Sequence, residues 1–348
     1  MKKKNKKFKL GGIVFLLLFA AAGYLFVNYY GKIFSANTSI NKSDPYIYVP
    51  TGASLDGLVN QLEERKILID KQSFLWVADQ KSFITAKPGK YRLKEGINNN
   101  ELVNLLRSGQ QEPVKLTFNT IRTPKDLAGK VGKQLEADSI EILRMLTDKA
   151  LADNYGFNEK TFMTLFIPNT YEVYWNTSAE EFVKRMAREY KAFWTEVRKA
   201  QAEALNLSQS EVSILASIVQ AEQSEHRDER PKVAGLYINR IKKKMRLQSD
   251  PTLIYAIGDF SIKRVLNKHM QTDSPYNTYM HAGLPPGPIN LPEISSIDAV
   301  LDYEKHDYIY MCAKADFSGY HNFSRSFFQH NAYAKAYRNE LNRRKIIK

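Results

Sequence analysis

Between Lys9 and Lys32 the chain runs for 22 residues without a charged side chain, and no other feature limits its possible folds so strongly. At about 1.5 Å of rise per residue, a helix of that length spans roughly 33 Å, the thickness of a bilayer core. Residues 10–31 are therefore expected to form a single transmembrane helix, with the lipid bilayer as partner. Ala20, Ala21 and Ala22 imitate the small-residue cleavage site of a signal peptide, but the apolar run is longer than such a peptide needs. Lysines 2, 3, 4, 6, 7 and 9 crowd the N-terminal side. Such a cluster stays in the cytoplasm, which sends the rest of the chain across the membrane.

That helix also accounts for much of the charge. The chain of 348 residues carries a net +14, and residues 1–32 supply seven lysines and no acid. The remaining excess is too dilute, and too free of basic-aromatic motifs, to predict a nucleic-acid partner. An acidic extracytoplasmic polymer suits it at least as well. The length predicts about two folded domains. Cys312 is the one cysteine, so no intramolecular disulfide is possible. The six histidines (226, 269, 281, 306, 321 and 330) show no ligand spacing. No metal or other cofactor is expected, and neither a G-x-S-x-G elbow nor a phosphate loop appears.

The segments then follow in order. Residues 1–9 are a basic tail, 10–31 the membrane helix and 32–45 a polar tether closed by Pro45. Tyr46-Ile-Tyr-Val49, the turn at Thr51-Gly52 and the helical spacing of Leu55, Leu58, Val59 and Leu62 predict a strand, turn and helix. The phrase returns 44 residues later as Tyr91-Arg-Leu93, Gly96 and Leu102-Val-Asn-Leu-Leu106, with a weaker echo at Leu116-Thr-Phe118, Thr123-Pro124 and Leu127. Units that cannot bury their apolar faces alone pack together, so 46–120 reads as a small α+β module. Residues 121–205 form a connecting helical and strand region, and 206–348 the core that carries the chemistry. The fold class is α+β.

Within that core, Ser208 and Glu211 make a capping box, and Ile214, Leu215, Ile218 and Val219 form an apolar stripe that reaches Glu222. Burial at that place raises a carboxyl pKa and keeps the group available as a proton donor. Asp250 could pair with Glu222 as in a two-carboxylate glycosidase, or serve as a turn residue or helix cap before Pro251. Five of the 13 prolines fall between 275 and 292. This segment is rigid and offers Tyr faces and amides, a mixture suited to sugar binding or simply to a stiff loop.

Five ordered motifs closely resemble the MltG (YceG-like) endolytic murein transglycosylases. They are Ala216-Ser-Ile-Val-Gln-Ala-Glu222, Ala234-Gly-Leu-Tyr-Ile-Asn-Arg240, Met245-Arg-Leu-Gln-Ser-Asp-Pro-Thr252, Ser274-Pro-Tyr-Asn-Thr-Tyr279 and Gly283-Leu-Pro-Pro-Gly-Pro-Ile-Asn290. Ile167-Pro-Asn-Thr-Tyr171 and the segment from Ala313 to Phe323 extend the likeness. The resemblance implies a LysM-like module after the membrane helix, a mixed α/β catalytic domain of the YceG-like type, and a place on the bacterial inner membrane facing the periplasm. It implies cleavage of the MurNAc-GlcNAc β-1,4 bond of nascent peptidoglycan strands to leave 1,6-anhydro ends, close to cell-wall synthases. A single glutamate, Glu222, would act as acid and then base. Asn239, Gln248, Asp250, Tyr276, Asn277 and Asn290 become candidate substrate contacts by motif position. Many relatives read E-x-E where this chain has Gln220-Ala-Glu222, which keeps open a silent glycan-binding scaffold that recruits wall enzymes.

Overall fold

The computed structural model describes residues 4–119, 121–262 and 264–344. Its first helix, α1 (Lys4–Phe34), includes 23 residues, Gly12–Phe34, long and apolar enough to cross a membrane. Phe15, Leu17, Phe19 and Phe26 are all exposed, as lipid-facing side chains would be.

The chain divides into two compact units, 1–115 with 172–177, and 116–171 with 178–348. In the first, β1 (Tyr46–Val49) leads to α2 (Leu55–Glu64) and α3 (Lys71–Gln80), and β2 (Gly89–Arg92) returns antiparallel to β1, Ile47 opposite Tyr91. Then comes α4 (Asn99–Ser108), begun by an Asn98–Glu101 capping box. The 44-residue echo thus corresponds to β1 with α2 and β2 with α4, whose Leu58, Leu62, Leu102 and Leu106 share one core with Phe74 of α3. The expected module boundary at 120 moves to 115, because β3 (Val114–Phe118) leads out of the unit.

The expected tether is different in the structure. Asn37 and Thr38 are buried, and Ala36 and Thr38 form single bridges to Asn98 and Leu68. The Asn37 amide donates to the Asp70 carbonyl (2.9 Å) and to Asn99 Oδ1 (2.6 Å), while its Oδ1 accepts from the Asp70 N–H (2.6 Å). Asn99 in turn donates to the Lys32 carbonyl at the end of α1 (2.8 Å). Polarity suggested a free linker; here the polar side chains are internal fasteners.

The second unit begins with short helices α5 (Pro124–Gly132), α6 (Ser139–Leu146) and α7 (Lys149–Asn154), each capped by Thr123, Asp138 or Asp148. Strand β4 (Asn169–Val173) pairs with β3. The amphipathic stretch after residue 178 is two helices, α8 (Ala179–Phe193) and α9 (Glu196–Ala204), separated at buried Trp194. At the centre lies α10 (Gln209–Glu222), started by the expected Ser208–Glu211 box. Every residue from Val212 to Val219 is buried, as a helix enclosed on all sides requires. Around it pack α11 (Arg230–Lys242), α12 (Asp250–Ile257) and α13 (Ile294–Leu301). The hairpin-like pair β5 (Tyr310–Ala313) and β6 (His321–Ser324) and the final helix α14 (Phe327–Arg343) complete the unit.

Candidate active site

Glu222 is the last residue of α10. The helix stops there because Gln223 leaves helical geometry (φ −128°, ψ 81°) and spends its side chain on the turn beyond. Its Oε1 accepts from the His226 N–H (3.0 Å), and its amide donates to Glu229 Oε2 (2.5 Å) and the Gly319 carbonyl (3.1 Å). Buried Arg230 donates to the Gln223 carbonyl (2.9 Å) and pairs with Glu293 (3.0 Å). The backbone that presents Glu222 is thus clamped from several elements.

Two hydroxyls converge on one oxygen of the carboxyl. Tyr237 of α11 donates to Glu222 Oε1 at 2.7 Å and Ser249 at 2.5 Å. Among the described residues, Oε2 accepts no hydrogen bond. Burial raises the pKa of Glu222; the Ser249 and Tyr237 hydrogen bonds work against that rise, Asp250 adds to it, and His321 opposes it. The net direction is upward, toward a proton-bearing carboxyl. His321 is held by Glu229, which receives its backbone N–H (2.9 Å) and lies 2.8 Å from its Nδ1. Burial acts to raise the Glu229 pKa, but these hydrogen bonds and that of Gln223 hold it below the usual carboxylate range.

The structure separates the other candidates. Asp250 opens α12, is exposed, and accepts from the Tyr279 hydroxyl. Its charge reaches Glu222, so it belongs to the site's surroundings. Asn290 donates to the Ser217 carbonyl of α10 (2.8 Å), and its buried Oδ1 has no partner. It lines two cavities of about 330 and 380 Å³, the first also bounded by Gln220 and Ala221, the second by Tyr276. Gly287 closes the wall beside Tyr276, because a Cβ there would lie 2.7 Å from the Tyr276 hydroxyl and collide with the Lys160 carbonyl.

Two candidates have their amides engaged elsewhere, and a third stands exposed. Asn277 is fully buried and wholly satisfied: its amide donates to the Met270 and Thr272 carbonyls, and its Oδ1 accepts from the Tyr279 N–H. It shapes its loop and offers nothing to a ligand. Asn239 donates to the carbonyls of His306 (2.7 Å) and Tyr308 (3.0 Å), holding the approach to β5. Two residues from Tyr237 on α11, it points about 200° away from the Glu222 contact. Gln248 is exposed at φ 49°, and its backbone N–H donates to the Thr278 carbonyl (3.1 Å).

Sequence reasoning gave neither Tyr237 nor Ser249 a role, although both lie within the quoted motifs. In the structure Ser249 occupies the N-cap position of α12 yet makes no cap, its hydroxyl having gone to Glu222. Gln220 faces α13, accepting from the Glu293 N–H (2.6 Å) and the Ser296 hydroxyl (3.0 Å). An amide serves there as well as a carboxylate.

The chain is similar to several known proteins. Over 313 residues the chain is 28% identical to the endolytic murein transglycosylase of Bacillus subtilis strain 168, covering 85% of this chain and 86% of that one. It is 25% identical over 343 residues to the protein of the same name from Streptococcus pneumoniae D39, covering 88% of this chain and 61% of that longer one. A crystal structure of a YceG-like protein from Listeria monocytogenes superposes with a TM-score of 0.55 at 26% identity, covering 82% of this chain and 97% of the other. The YceG-like family model matches residues 47–336, nearly everything after α1, and the chain therefore belongs to the YceG-like family.

Proposed function

We propose that the protein is a membrane-anchored lytic transglycosylase of peptidoglycan, with Glu222 as its one acid and base. The relatives named endolytic murein transglycosylases supply the substrate class. The carrying observation is the carboxyl whose Oε1 takes two hydroxyl donors while Oε2 is left unbonded. With its pKa raised, Glu222 delivers the Oε2 proton to the glycosidic oxygen between MurNAc and GlcNAc as the C1–O bond breaks. The carboxylate left behind takes the proton of the muramoyl C6 hydroxyl, whose oxygen bonds to C1 and closes a 1,6-anhydro ring. The 2-acetamido group assists at C1. No water is consumed, and the proton lost by Glu222 is regained.

In this reading α1 anchors the chain with its lysine-rich end in the cytoplasm, so that the site works on new strands near the bilayer and near the synthases that make them. The strand-helix-helix-strand order of the first unit supports a LysM-like, glycan-binding module. The test is full-length protein in detergent incubated with isolated glycan strands, with products read by mass spectrometry. Expected are 1,6-anhydro ends from the natural chain and a loss of about 10²–10⁴-fold in rate for Glu222→Gln. Reducing ends carrying solvent oxygen would replace this mechanism by hydrolysis with Asp250 as the second carboxylate. Binding without cleavage would leave only the scaffold.

A further inference from the structure

The two cavities that Asn290 lines share one cationic side chain, Arg122. It is exposed, and among the described residues it pairs with no carboxylate. Its mounting is nonetheless stiff. The preceding Ile121 is buried, and its carbonyl accepts from the Leu291 N–H (2.8 Å), next to Asn290. The following Thr123 caps α5 in a reciprocal box with Asp126. The guanidinium carbon lies over the Phe260 ring, 4.7 Å from its centroid, a cation–π contact that holds the group in place without using its N–H donors. Elsewhere on the rim of the second cavity, Glu159 and Lys160 stand together and offset one another in charge. Asn290 and Tyr255 line both cavities with Arg122, so the three form a waist where the spaces adjoin.

A guanidinium held in place beside a groove, with no carboxylate partner among the described residues, is matched to a carboxylate, which it binds through two parallel N–H donors. Resting on the murein reading above, we infer that Arg122 is a specificity residue that binds a carboxylate borne by the muramoyl lactyl group, either the lactyl carboxylate itself or one on the attached peptide stem. The neutral sugars need no such cation. Arg122 thus selects acidic, substituted muramoyl units over uncharged glycan, at the waist and apart from Glu222.

Binding tests this without requiring turnover. Disaccharide muropeptides are titrated calorimetrically into full-length Glu222→Gln protein in detergent, alone and combined with Arg122→Gln or Arg122→Lys. Three ligands are compared: one with free stem carboxylates, the same with those carboxylates amidated, and a stemless disaccharide with a free lactyl carboxylate. With Arg122 present, the best carboxylate ligand should bind about tenfold more tightly than the amidated one. Arg122→Gln should erase that difference and Arg122→Lys keep part of it. Tighter binding of the stemless ligand identifies the lactyl carboxylate, which the stem otherwise ties up as an amide; preference for the free-stem ligand identifies the stem. Discrimination below twofold with Arg122 present, or intact discrimination in Arg122→Gln, overturns the inference. Carboxylate-dependent binding by a chain that never cleaves would retain this role and remove only the enzymatic reading.

Discussion

Two buried polar clusters, one in each unit, are built from similar groups and end in opposite states. Around Asn37, the side-chain amides of Asn37 and Asn99, the Ser73 hydroxyl and the Asp70 backbone satisfy one another, and both Asn37 and Asn99 are at most 3% exposed. Around Glu222, two hydroxyls crowd onto one oxygen and, among the described residues, the other accepts none, while the Oδ1 of Asn290, which is bonded to the same helix, is buried without a partner among them. A closed network stabilises because each donor finds an acceptor as strong as the water it left. An open one costs stability and persists where a substrate is to complete it. The same chemistry thus serves the fold in one unit and, on the proposed function, the reaction in the other.

The sharpest separation should come from Glu222→Gln, which loses cleavage as stated above yet gains stability. The natural carboxyl has a folded pKa above its unfolded one. Its penalty is absent at pH below the unfolded pKa, grows as pH rises toward the folded value, and is complete above it. Thermal unfolding should therefore show a higher Tm for Glu222→Gln at neutral pH and no difference at strongly acidic pH. Asn37→Leu should do the reverse. It leaves the Asp70 N–H and Asn99 Oδ1 unanswered in a buried site, at a cost of about 2–4 kcal/mol by chemical denaturation, with the rate per folded molecule unchanged. If that rate falls too, the two clusters are not independent. Ser249→Ala should have a subtler effect. Its hydrogen bond lowers the Glu222 pKa, so removing it moves the pKa further up. The protonated acid then survives to higher pH, and the alkaline limb of the pH–rate profile shifts upward; a downward shift would contradict the assigned donor.

Much of the second cluster was legible because its backbone follows local rules. Ser208 and Glu211 start α10 as a capping box must, and the Ile214–Ile218 stripe leads to Glu222 without any knowledge of the rest. What could not be seen were partners brought from distant helices: Tyr237 is 15 residues away and Ser249 27, and neither spacing has a local signature. Asn239 and Asn277 misled for a related reason. A polar residue in a motif looks the same in sequence whether its amide meets a sugar or a backbone carbonyl, and here both amides meet carbonyls. The same ambiguity turned the polar run after Phe34 into an expected tether. Its asparagine and threonine are short enough to bond inside, and the repeat at Leu58 and Leu102 gave no hint that the Asp70 and Lys94 carbonyls would be the acceptors.

The junction at that segment gives the smallest expected effect, and it tests how far the closed cluster extends. Asn99 donates to the Lys32 carbonyl, so the cluster fastens the end of α1 to α4, while Tyr29 and Lys32 pack on Trp76 of α3, with ring centroids 5.2 Å apart and the ammonium 5.3 Å above the indole. If α1 spans the bilayer, Trp76 is carried at headgroup height by packing and not by chance approach. Lys32→Gln removes the cation but spares the carbonyl, and should cost about 0.5–1 kcal/mol. In nanodiscs with Trp175 and Trp194 replaced by Phe, Trp76 emission should still be quenched by headgroup-labelled lipids in Lys32→Gln. It should lose that quenching when Asn37→Leu opens the fastening. Quenching that survives Asn37→Leu would mean that the rings, and not the asparagines, hold the helix to the module.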